Sequence, residues 1–130
     1  MSNYKNKSEL NLAAAELLHE QTYYPPVAHC SYYSCHQLMS HVWYYVLKRT
    51  EKELLATKTM NEGSHEILIN QIAKLVHNKN FDFRSFNNNI GILKKLRVDS
   101  DYRDIEVNYS ISSRSINICK DTLAIIKKCF

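Results

Sequence analysis

Val27-Ala28-His29-Cys30-Ser31-Tyr32-Tyr33-Ser34-Cys35-His36-Gln37-Leu38-Met39-Ser40-His41-Val42-Trp43-Tyr44-Tyr45-Val46-Leu47 contains no Asp, Glu, Lys or Arg. A helix that is apolar or weakly polar on every side belongs at the centre of a protein, with neighbours on several faces. The stretch therefore predicts a central helix from about Pro26 to Arg49. Ala28, Ser31, Ser34 and Cys35 are small and let other helices come close. Tyr32, Tyr33, Trp43, Tyr44 and Tyr45 add bulk with polar tips that need partners. Just upstream, Tyr23-Tyr24-Pro25-Pro26 breaks the chain. A residue before proline avoids the helical region, and proline suits the first turn of the helix that follows.

The flanking segments supply the helices that would pack on this centre. A first helix is predicted from about Lys5 to Glu20, with Leu10, Ala14, Leu17 and Gln21 as its stripe, widened by Ala13 and Leu18, and with Ser8 or Asn3 as its cap. Thr50 to Gly63 is polar and reads as a connection. Ser64 is a good N-cap residue, and a third helix to about Asn78 carries Leu68, Ile72, Leu75 and Val76 on one side. A fourth runs from about Asp82 to Arg97 or slightly beyond, with Phe83, Phe86, Ile90, Leu93 and then Arg97 at alternating spacings of three and four. Val98 to Tyr109 reads as a long connection, and Ser110 to Ser113 as caps for a last helix to Phe130. Ile116, Cys119, Leu123, Ile126 and Phe130 form its stripe, and Lys127 and Lys128 in its last turn complement the helix dipole.

The whole chain has 130 residues, 45% of them apolar, but only two glycines and two prolines. An all-β protein needs turn residues every eight to twelve positions, which this composition cannot supply. The fold class that follows is all-α: an up-and-down bundle of four to five antiparallel helices, forming one domain over residues 1–130. The net charge of +4 only weakly favours an acidic partner such as RNA. No apolar run is long enough to cross a membrane, and the first residues lack the apolar core of a signal peptide, so a cytoplasmic protein with no membrane partner is expected.

Neither a metal site nor a cofactor site is expected. Cys30 and Cys35 would diverge by about 140° around a helix, and Cys119 and Cys129 would lie ~15 Å apart along one. Neither pair makes a zinc half-site or a local disulfide, and all four cysteines read as small, reduced, buried residues. His29 and His36 share a face but stand ~10.5 Å apart along the axis, too far to bind one ion. No phosphate-cradling glycine loop and no nucleophile-elbow motif is present. Cys35 and His36 are adjacent in sequence, so their side chains point apart. What remains is Arg97, Asp101 and Tyr102, with Asp99 and Arg103 around them. As the next position of an apolar stripe, Arg97 either reaches out at the bundle end or sits half-buried with an acid. A guanidinium beside carboxylates and a phenol is an anion or phosphate site, or, more plainly, a lock between the helix end and the loop.

Ala28-His29-Cys30-Ser31-Tyr32-Tyr33-Ser34-Cys35-His36-Gln37-Leu38-Met39 resembles the Ala-x-x-x-Tyr-Tyr-x-x-x-x-x-Leu/Phe helix of HEPN-domain proteins. Gly63-Ser64-His65 resembles the start of their next helix. Arg97-Val98-Asp99-Ser100-Asp101-Tyr102 resembles the Arg-x-x-x-Asp-Tyr element of one bacterial branch, and Ile116 to Lys128 their terminal helix. The four pieces occur in the family's order and cover most of the chain. The resemblance implies a helical bundle, a homodimer, and a nucleotidyltransferase partner in a toxin–antitoxin pair. It also implies an RNA- or nucleotide-binding site, here Arg97, Asp101, Tyr102 and His65. Active members cut RNA without metal, using an arginine followed after a gap of four to six residues by a histidine. At those distances Arg97 is followed by Tyr102, Arg103 and Asp104. Histidine moves protons near neutral pH, whereas tyrosine has an ordinary pKa near 10. The expectation is therefore a non-catalytic or degenerate member. A ribonuclease with a non-standard site, using His65 or a histidine of a second subunit as base, and a purely structural interaction module are the alternatives.

Overall fold

The computed structural model describes residues 2–80 and 82–130, which hold six α-helices and no strand. They are α1 (Asn3–Glu20), α2 (Val27–His41), α3 (Glu51–Ala56), α4 (Ser64–Asn78), α5 (Phe83–Tyr102) and α6 (Tyr109–Cys129). A π-helical turn (Val42–Val46) continues α2. α2 is the centre, in contact with α1, α4, α5 and α6. Tyr32, Cys35, Leu38, Met39, Val42 and Trp43 are all buried, as a charge-free stretch requires.

Side-chain pairings fix the direction of each helix. Ser8 lies against Ser34 while Tyr4 lies against Tyr44, so α1 and α2 are antiparallel. His29 meets Asp101 and Tyr32 meets Arg97, which makes α2 and α5 antiparallel as well. Glu66 meets Lys94 and His77 meets Phe83, so α4 opposes α5. α2 and α4 therefore run the same way. The segment between them, residues 47–63, is one crossover that returns the chain to the starting end.

The expected connection after residue 50 contains the short helix α3. Thr50 caps it: its hydroxyl accepts from the Glu53 N–H at 3.1 Å, and Glu53 accepts from the Thr50 N–H at 3.1 Å. This reciprocal capping box ends nothing and starts a helix. The central helix also stops earlier than Arg49. Trp43, fully buried, donates its indole N–H to the Thr50 carbonyl at 3.0 Å, and the Leu47 N–H reaches back five residues to Val42 at 2.8 Å. The widened turn ends at Lys48, whose φ of 53° is left-handed.

Of the stripe expected on α1, Leu18 packs against Ala15, Val27 and Ile116, but Leu10 and Leu17 face outward. Leu10 and Leu17 are 60% and 58% exposed, whereas Ser8 and Ala15 are buried. The Ser8 hydroxyl donates to the Ser34 carbonyl at 2.6 Å, and the Ser34 hydroxyl donates to the Ser8 carbonyl at 2.7 Å. Two small residues that satisfy each other's backbone let α1 and α2 approach closely, and this outcompetes burial of the leucine face. α1 also begins at Asn3, so Asn3 and Ser8 lie inside the helix and neither caps it. α6 is capped by Asn108, which accepts from the Ile111 N–H at 3.0 Å, not by Ser110 to Ser113. Elsewhere the spacing holds: Phe86, Ile90 and Leu93 of α5 and Ile116, Cys119, Leu123 and Ile126 of α6 are buried.

Candidate functional site

α2 repeats polar rings on one face, with His29, Tyr33 and His36 spaced four and three apart and Tyr32 beside them. Residues so spaced are neighbours on a helix surface. The first turn of α4 brings His65 and Glu66 to this face, and the last two turns of α5 bring Lys94, Arg97 and Asp101. All three elements meet at the end of the bundle where α2 and α4 start. α5 extends through Tyr102, so Arg97, Asp99 and Asp101 lie within the helix, where a helix end and loop were expected.

Arg97 is the hub. Its guanidinium carbon lies 4.9 Å from the ring centre of Tyr32, 5.6 Å from that of Tyr33 and 5.9 Å from that of Tyr102. Aromatic faces attract a cation at these distances. Its side chain is only 12% exposed, and its nearest carboxylate, Asp101, is 3.8 Å away, beyond hydrogen-bond reach. Asp101 instead accepts from the His29 Nδ1–H at 2.9 Å. A lock between Arg97 and Asp101 is therefore loose at best. The guanidinium makes no hydrogen bond within the described residues, and its Nε is closed off from solvent without a partner. Asp99 stands apart, taken by Lys95 at 2.7 Å and Arg103 at 3.1 Å.

Burial keeps three of the rings around Arg97, those of Tyr32, His36 and His65, in their neutral forms near pH 7. Burial pushes the Tyr32 phenol up to about 12, although the Arg97 charge pulls it the other way. Tyr32 therefore keeps its proton, and its hydroxyl shares a hydrogen bond with His65 Nδ1 at 3.1 Å. Burial, then His65 and Arg97, push His36 down to about 4. His65 is lowered first by burial, then by Arg97 and Lys94. The two imidazoles stack with ring centres 4.3 Å apart, which a pair of cations would not tolerate. Lys94 is paired with Glu66 at 2.9 Å. The start of α4, with its partial positive charge, completes a surface that favours an anion.

Of the residues singled out from the sequence, Arg97, Asp101 and His65 converge, while Tyr102 sits at the margin, 75% exposed. His29, Tyr32, Tyr33 and His36 were missed. Their signal is the ring spacing along α2, where His29 and His36 are set aside as metal ligands and Tyr32 and Tyr33 read as bulk with polar tips. Among the described residues no three His, Cys, Asp or Glu side chains converge as metal ligands would.

The chain matches no family model, no curated protein and no solved structure.

Proposed function

We propose that the chain is a HEPN-like protein that binds a phosphate of RNA or of a nucleotide at Arg97 without cutting it. One observation carries the reading. A largely buried guanidinium has no hydrogen bond among the described residues, while its nearest carboxylate is engaged by His29. An arginine kept for structure alone would be expected to hold a bidentate carboxylate. Phosphate offers the oxygens that this fork lacks, and the exposed ring of Tyr102 gives a base or ribose a face to stack on. In this reading the protein is a binding component of a toxin–antitoxin or nucleotidyltransferase-associated system. It would act as a homodimer, for which the outward Leu10 and Leu17 of α1 supply apolar surface.

Fluorescence anisotropy with a short single-stranded RNA and with a labelled adenosine monophosphate tests this. Arg97→Met should weaken binding about tenfold or more and lower the salt slope by about one. Equal binding by Arg97→Met and the parent chain would refute the site.

A second reading has its own support. His65, a neutral imidazole, shares Tyr32 as a neighbour with Arg97 inside one chain. This supplies in space the arginine–histidine pair that the sequence spacing lacks, and so favours a metal-independent ribonuclease. Cleavage that persists in EDTA and is lost in both Arg97→Met and His65→Asn would establish it. Intact RNA after prolonged incubation at high protein concentration would exclude it.

A further inference from the structure

A second concave site lies at the opposite end of the bundle from Arg97. It is bounded by the start of α1, by the end of α2 with its π-helical turn, and by the end of α6. The groove encloses about 410 Å³, within the range of about 300–1,000 Å³ typical of small-ligand sites. Leu38, Val42 and Ile126 form a buried floor. Val46 forms a wall and is itself 44% exposed. A narrower cleft continues from it past Ser8, Leu12 and Leu123, sharing Lys5, Glu9, Leu38 and Lys127 with the main groove.

The rim is basic. Lys5 and Lys127 both line the groove, against the single acid Glu9. Among the described residues neither lysine has a carboxylate within 4.0 Å. His41 also lines the groove, and its Nδ1 is shut off from solvent with no hydrogen-bond partner. The π-helical turn shapes this end. It ends α2 and leaves Val46 on the groove wall. An apolar trough with two unpaired cations at its mouth suits a molecule that is apolar along its length and negative at one end.

We infer that the groove between Lys5 and Lys127 binds an amphipathic anion, with its apolar body on Leu38, Val42, Val46 and Ile126 and its acidic head between the two lysines. The site is separate from the Arg97 cluster and stands or falls without it.

Dodecanoate is the probe, titrated by calorimetry and by displacement of 1-anilinonaphthalene-8-sulfonate fluorescence. One saturable site is expected. Lys5→Glu with Lys127→Glu should weaken it about tenfold, and so should Val46→Asp. All three positions face the groove, and circular dichroism melts will show whether the variants keep the fold. Dodecyltrimethylammonium, with the same chain and the opposite charge, should not displace the dye, and Arg97→Met should bind dodecanoate as the parent does. Absence of saturable binding up to about 1 mM would overturn the inference. So would equal affinity in the parent and both groove variants, or equal displacement by the cation.

Discussion

His36 makes the stability of this bundle sensitive to acid, and the size of the effect follows from its surroundings. In the unfolded chain the imidazole takes up a proton near its ordinary 6.5; in the fold, burial beside His65 and Arg97 holds this off until about 4. Between those values the unfolded state binds more protons, so stability falls as pH falls. The contribution is fully present above 6.5 and is lost progressively as pH drops towards 4. At about 1.4 kcal/mol per tenfold in proton affinity, the full loss is about 3.5 kcal/mol, and about 2.5 kcal/mol is already gone at pH 4.5. His36→Phe keeps a ring of similar size and cannot titrate. Urea unfolding at pH 7 and pH 4.5, followed by circular dichroism and by the fluorescence of Trp43, should show the parent losing about 2.5 kcal/mol more than His36→Phe. Carboxylates titrate in both proteins and cancel in the comparison. Identical losses, or a His36 ring that titrates near 6.5 by NMR, would refute the buried, cation-adjacent placement of this residue.

Three further outcomes follow from the same contacts. In Arg97→Met the His36 and His65 rings should both titrate at higher pH than in the parent, because the cation that opposes their protonation is gone; unchanged titration curves by NMR would place Arg97 elsewhere. Ser34→Leu should cost about 1–3 kcal/mol by overpacking the α1–α2 contact, with more added by the loss of both reciprocal hydrogen bonds; urea denaturation within 0.5 kcal/mol of the parent (about the size of an ordinary surface change) would contradict the close approach. Cys35 and Cys119, with sulfurs 3.7 Å apart and both buried, should react with a thiol reagent only on unfolding, while the partly exposed Cys30 labels first; mass spectrometry showing early modification of Cys35 would contradict the core.

The fold was legible where one property dominated. A charge-free run can only be central, and α2 is. The α5 and α6 stripes hold: Phe86, Ile90 and Leu93, and Ile116, Cys119, Leu123 and Ile126, are buried. α1 misled because Leu10 and Leu17 lie away from the face that carries Ser8, Leu12 and Ala15, and that face is set by a pairing with Ser34, which lies 26 positions away from Ser8 in sequence. α3 was hidden in a polar segment, although Thr50 and Glu53 spelled its capping box. At the candidate site, Arg97 stands out as a charge interrupting an apolar stripe, and Asp101 stands beside it in what reads as a connection and in the Arg-x-x-x-Asp-Tyr resemblance. His65 comes from the family resemblance, whereas His36 gains its meaning only when α2 and α4 run side by side, which no local pattern encodes. The alternation of rings along α2 was the signal available in the sequence.

The central claim is that Arg97 and its ring cage at the α2–α4–α5 end receive a phosphate. The most direct measurement is an NMR titration of the histidine rings and arginine Nε–H groups with single-stranded RNA. Binding should shift Arg97, His36 and His65 together and leave His41, at the far end, unmoved. Shifts confined to residues away from this end, with Arg97 and both imidazoles unchanged at saturation, would contradict the account.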